Sequence, residues 1–192
     1  MTVLVLGLVL FLGVHSLSAL FAPARAELIE KRGAGFWKLP YAVTSFVGLI
    51  MIIWGYGAAR EVPILLYQPP TWTAHLALVL MIFALILLVS AELKGNIARV
   101  AKHPQLAAVK IWASAHLLAN GDLASVLLFG GFLAWAVFAR ISLKKRVAAG
   151  YASDNPGGPL RNDLLAVAVG LGLYVLFVVW AHEFLFGVAP IN

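Results

Sequence analysis

The chain has 192 residues, of which 62% are hydrophobic and 11% charged, with a formal net charge of +6 and no cysteine. Soluble domains are nearer half apolar and a quarter charged, whereas this apolar content is enough for about six spans of about 20 residues and little else. The composition therefore excludes a separate soluble domain, and the missing cysteines exclude disulfides, thiolate metal sites and cysteine nucleophiles. The basic residues are scattered over short connectors, where lipid headgroups and the insertion machinery read them, so nucleic acid is set aside as a partner.

The first apolar run, residues 2–22, ends in Ala22-Pro23-Ala24-Arg25-Ala26, which is similar to a small-residue cleavage site. No Lys or Arg precedes it and it is long for a signal core, so it reads as a retained first helix. The second and third runs are residues 39–59 and 74–92. Residues 104–119 and 123–139 form the fourth and fifth, a tight hairpin closed by the turn Asn120-Gly121-Asp122. The sixth, residues 163–188, follows the Pro/Gly-rich stretch 153–159, a mobile surface loop by composition, and takes Asn162-Asp163 as its N-cap. No repeat of fixed period stands out.

Twelve Lys and Arg fall in alternate connectors and one, Arg60, falls in the others, with Lys110 inside the fourth run. The positive-inside rule then predicts a single all-α transmembrane bundle over residues 1–192, with six spans and both termini outside. The outer connector Tyr67-Gln68-Pro69-Pro70-Thr71-Trp72 has aromatics where an interfacial belt belongs.

Ionisable residues inside spans are costly and mark functional sites by default. His75, His103 and His182 fall at span ends, where headgroups and water solvate them. His15 and His116 fall inside the hydrocarbon, roughly 20 Å below the outer start of span one and roughly 18 Å above the inner start of span four. Tilt absorbs the small difference in level. The pair either faces one flat metallocofactor between two helices or hydrogen-bonds neighbouring carbonyls and hydroxyls, helped by Ser16 and Ser114. Trp112, His116 and Asn120 share one face of the fourth span at i, i+4, i+8. Lys110 either snorkels inward along its stem or pairs with an anionic group such as a cofactor propionate. Asp122 reads as the cap of span five, with orientation of the nearby His116 ring as the alternative. Gly55-Tyr56-Gly57 is a small-residue patch for close helix packing.

His15-Ser16-Leu17, Ile52 to Arg60, His103-Pro104-Gln105-Leu106 and the long run from Ile111 to Arg146, with its Trp-Ala-Ser-Ala-His-Leu-Leu-Ala-Asn-Gly-Asp core, carry a family resemblance. The sequence resembles the NnrU family, named from denitrification gene clusters and linked to nitrite and nitric oxide metabolism. The family includes the plant and cyanobacterial 15-cis-ζ-carotene isomerase, which uses haem b. The resemblance implies a multi-pass protein of the bacterial inner membrane that binds haem b, with His15 and His116 as iron ligands and Lys110, Trp112, Asn120 and His103 as further cofactor-binding candidates. It implies either an accessory role with a redox partner or a haem-dependent isomerase or redox enzyme acting on a carotenoid-like lipophilic molecule. The isomerase carries a cysteine three residues before its second ligand, where this chain has Ala113. Ligand exchange by thiolate is therefore closed to it. Membrane methyltransferases that bind S-adenosylmethionine share a similar Arg-His-Pro segment, present here as Lys102-His103-Pro104, but they follow it with paired glutamates. The matching stretch here, Arg140 to Tyr151, is basic and has no carboxylate.

Overall fold

A computed structural model describes residues 1–191, apart from the side chain of Ser18. The described residues form helices α1 (Thr2–Leu20), α2 (Ala22–Arg32), α3 (Ala34–Glu61), α4 (Thr71–Leu93), α5 (Asn96–Ala101), α6 (Pro104–Ala119), α7 (Leu123–Ala148) and α8 (Leu160–Leu176). A π-helical segment (Phe177–Ala181) then leads into α9 (His182–Phe186). The all-helical expectation holds. Each apolar run became a helix because in hydrocarbon every backbone group has to be satisfied within its own segment.

The long helices pack side by side in the order α3, α1, α7, α6, α4, α8. Consecutive members of the row run in opposite directions except α1 and α7, which run parallel: Leu8 and Leu12 of α1 lie over Gly131, and Ser142 Oγ donates to the Ala19 carbonyl at 3.0 Å. Glycine sets how close the rows come. A Cβ on Gly7 would sit 2.8 Å from the Ile52 nitrogen and one on Gly48 would sit 2.9 Å from the Phe11 nitrogen, while Gly55 abuts the Leu4 backbone. Gly170 meets α4 in the same way, 2.8 Å from the Ile86 Cα. Lipid tails give helices no hydrophobic reason to associate, so close backbone approach and dispersion hold such pairs. The core this creates joins Leu4, Leu8, Ile52, Ala113, Ala124, Leu128 and Phe129.

Among the described residues four segments are long and apolar enough to cross a bilayer: α3, α4, α7 and the continuous run from Leu160 to Phe186. α1, with α2 bent 78° from it, makes a fifth. The remaining expected span, α6, has 16 residues, about 24 Å at the α-helical rise against a core of about 30 Å. It nevertheless runs from one end of the molecule to the other. Its start lies beside Asp154, in the connector that follows α7, and its far end is bonded to the α3–α4 connector.

That connector is extended rather than helical. The Leu66 and Tyr67 amides donate to the Gly121 carbonyl at 2.9 and 3.1 Å, the Leu123 amide donates to the Ile64 carbonyl at 2.8 Å, and the Tyr67 hydroxyl reaches the Leu117 and Asn120 carbonyls. The irregular backbone is satisfied by protein, as a membrane boundary requires. Gly121 is obligatory here, since any Cβ would collide with the Tyr67 carbonyl.

Two local expectations change. α8 starts at Leu160, so Asp163 lies inside its first turn and caps α5 instead of its own helix. It accepts from the Ile97 amide at 2.8 Å and from Asn96 Nδ2 at 3.0 Å, which pins α5 to α8. The 153–159 stretch is tethered as well as polar. Asp154 pairs with Lys102 and His103, and Asn155 Oδ1 accepts from the Gly157 amide.

Candidate functional site

His116 sits in the last turn of α6, one turn above Trp112. Its Nδ1 is 2.9 Å from the Trp112 carbonyl, which can only accept, so the ring carries its proton on Nδ1 and leaves the Nε2 lone pair free. Phe129 stacks on the imidazole at 4.5 Å between ring centres, and Trp112 stands 5.3 Å away. The expected face of Trp112, His116 and Asn120 is formed by hydrogen bonds. Asn120 Nδ2 donates to the His116 carbonyl at 2.9 Å, and Asn120 carries the Tyr67 contact described above.

His15, near the other end of α1, is held the same way, with Nδ1 2.6 Å from the Phe11 carbonyl. Phe11, Tyr41 and Trp135 surround the ring at 4.3, 5.2 and 5.9 Å, the last edge-on. Trp135 Nε1 is buried without a hydrogen-bond partner, an uncommon state for a donor. Beyond Tyr41 lies an apolar cavity of about 580 Å³ between α1, α2 and α3, lined by Val9, Gly13, Val14, Trp37 and Thr44 among others.

The two histidines are not in contact. His15 lies level with Trp135 and His116 with Phe129, six residues of α7 and therefore about 9 Å of rise apart. Laterally they are joined by a run of rings, Phe11 to Phe132 at 5.8 Å and Phe132 to Trp112 at 5.4 Å. The donor chemistry fits an iron porphyrin at both places, since each imidazole offers one neutral nitrogen with its tautomer fixed. The space directly between them is filled by Phe11, Phe132 and Trp112.

The structure brings a different imidazole to His116. His182, on α9, lies 6.5 Å away between ring centres with its plane 23° from parallel, and its Nδ1 is 2.7 Å from the Val188 carbonyl. Its Nε2 is left free as well. The π-helical segment immediately before it shifts the ring's bearing, a distortion frequent at functional sites. Sequence reasoning missed this partner because a 3.6-residue period cannot register a π turn. A histidine within six residues of Gly187 was the available signal.

Asp122 caps α7 as expected, accepting from the Ser125 amide at 3.0 Å and from Ser125 Oγ at 2.5 Å, and Ser125 Oγ in turn lies 2.9 Å from the Tyr56 hydroxyl. Lys110 is half-buried in mid-α6 and makes no ion pair among the described residues. His103 stands apart from the other candidates at the opposite end, before Pro104. Burial pushes its imidazole below its ordinary pKa. Arg140 adds to that push, Asp154 opposes it, and Lys102 and Arg146 act with Arg140. Among the described residues no three metal-ligating side chains converge.

A sequence model of one protein family, described as NnrU protein, matches residues 3–190. Comparison with curated proteins and with solved structures finds no match.

Proposed function

The chain belongs to the NnrU family, and from that premise we propose that it is a haem b protein of the bacterial inner membrane, serving nitrogen-oxide metabolism, with His116 as one iron ligand and His15 as the other once the Phe11, Phe132 and Trp112 rings between them part. The observation that carries the reading is the state of the two imidazoles: each is inside an apolar bundle, fixed through Nδ1 and free at Nε2. A porphyrin brings four nitrogens of its own, so two axial histidines complete the iron without a larger protein ligand set. The buried Trp135 N–H beside His15 supports a missing acceptor there. Bound haem would supply a one-electron couple, while Trp112, Phe129, Phe132 and Phe11 keep water out and Lys110 and Asn120 offer donors to propionates.

A second reading of the ligand pair rests on His182. Its 6.5 Å separation from His116 suits two metal–nitrogen bonds of roughly 2 Å each plus the rings themselves. An enzymatic reading, isomerisation or redox chemistry on a lipophilic molecule, is supported by the apolar cavity lined by Tyr41, whose ring stands 5.2 Å from that of His15. Ala113 is fully buried in the core, so that chemistry would proceed without a thiolate. Methyl transfer from S-adenosylmethionine has less support, because positive charge dominates around His103 and disfavours a sulfonium.

The test is the oxidised and dithionite-reduced spectrum of the detergent-purified protein with a pyridine haemochrome assay. We expect near-stoichiometric b-type haem, lost in His116→Ala and retained in His75→Ala. Loss in His15→Ala with retention in His182→Ala supports the first pairing, and the reverse supports the second. A colourless wild-type protein made with ample haem overturns both.

A further inference from the structure

At the end of the molecule opposite His116, a cavity of about 370 Å³ opens between the start of α6, the end of α4 and the 153–156 segment, with Lys94, Lys102, His103, Gln105, Asp154 and Asn155 on its walls. Its charge is unbalanced. Asp154 is the one carboxylate on the wall, whereas Lys94 and Lys102 line the cavity and Arg140 and Arg146 stand close enough to His103 to disfavour its protonation. Arg146 Nε is buried without a hydrogen-bond partner, and so is His103 Nε2. α6 adds to this field. It begins at Pro104 with no side-chain cap, so its first free amides, from Gln105 and Leu106, belong to two residues that line the same cavity.

Lys102 already grips an oxyanion in miniature. Lys102 Nζ lies 3.2 Å from one Asp154 oxygen, and His103 Nε2 faces the other at 3.4 Å without forming a hydrogen bond. Among the described residues Lys94 and Lys102 are the two non-glycine positions with positive φ, at 53° and 61°, a conformation that costs a long side chain energy and recurs at binding sites. Neither lysine caps its helix with a glycine's freedom, and both bound this cavity.

We propose that this cavity binds a phosphate-bearing anion, either the headgroup of an acidic phospholipid or free phosphate, and that Asp154 holds its place when it is absent. Basic pockets between helices at the positively charged end of a membrane protein take such headgroups. Arg140 and Arg146 supply charge that Asp154 alone leaves uncompensated, and the uncapped α6 amides suit a phosphate oxygen. The site is independent of haem, since none of its residues touches His15, His116 or His182.

The experiment is a titration of the full-length, detergent-purified protein with short-chain phosphatidylglycerol, short-chain phosphatidylcholine and inorganic phosphate, read by native mass spectrometry and by thermal shift. We expect one equivalent of phosphatidylglycerol to bind and phosphatidylcholine not to. Lys102→Gln should weaken binding about fivefold, and Asp154→Asn should strengthen it, because it removes the resident competitor. Lys144→Gln, an exposed lysine at the same end of the molecule, should leave it unchanged. Displacement of the lipid by inorganic phosphate at comparable concentration assigns the site to the free anion, and failure to displace it assigns the site to the headgroup. Equal losses in Lys102→Gln and Lys144→Gln would reduce the effect to general surface charge and overturn the proposal. Weaker binding in Asp154→Asn would overturn it as well.

Discussion

Asp122 shows how much one side chain can secure at a helix junction. One carboxylate oxygen satisfies the Ser125 amide and the other accepts from Ser125 Oγ, whose own acceptor capacity is then available to the Tyr56 hydroxyl on α3. Removing the carboxylate therefore loosens the first turn of α7 and its tie to α3 together. Asp122→Ala should cost about 1–2 kcal/mol, typical of a lost N-cap, seen as a lower Tm in detergent, while Asp122→Asn should recover most of it because Asn caps comparably. An equal loss in both would mean that the negative charge matters and the cap does not. This role was legible in the sequence, since Asn-Gly-Asp followed by an apolar run signals a turn and a cap. Asp163 carried a similar signal and ended elsewhere, bonded to α5, because a cap is chosen by whichever free amides lie within reach, and that depends on packing.

At the scale of elements, the glycines separate contact from composition. Gly55 and Gly57 lie two residues apart on α3, and sequence treats them as one small-residue patch. In the fold, a Cβ on Gly55 would meet the Leu4 backbone, within 2.8 Å of its Cα, whereas one on Gly57 meets nothing within 4 Å. Gly55→Ala should force α1 and α3 apart and cost about 1–3 kcal/mol, as overpacking does. Gly57→Ala should be neutral or slightly stabilising through helix propensity. Matched thermal unfolding of the two variants checks this, and equal Tm values would disprove the close α1–α3 approach. Hydropathy located the helices well because hydrocarbon leaves few alternatives. It could not give their neighbours, such as the Phe11, Phe132 and Trp112 rings that lie between His15 and His116. The nearness of His182 arises from a π turn and a chain end folding back, neither of which has a periodic signature.

For the whole molecule, the row of alternating helices sorts charge by end. Lys102, His103 and Asp154 meet at one end, and Arg60 reaches the Phe186 carbonyl at the other. α6 runs between these ends in 16 residues, and if it carries the chain across, the connector at Gln68 and the connector at Lys144 are expected on opposite sides of the bilayer. At its far end the 62–70 segment bonds the turn at Gly121, so the short helix is met there by satisfied backbone. The excess of Lys and Arg at the Lys144 end then predicts which side faces the cytoplasm. Because the chain has no cysteine, single substitutions report topology without background. In right-side-out spheroplasts, Gln68→Cys should react with a membrane-impermeant maleimide, and Lys144→Cys should react only after permeabilisation. Reaction of both from outside would mean that α6 does not carry the chain across, which would reverse every later connector. It would also place Asp154 across the bilayer from His103, against their 3.4 Å approach in the fold.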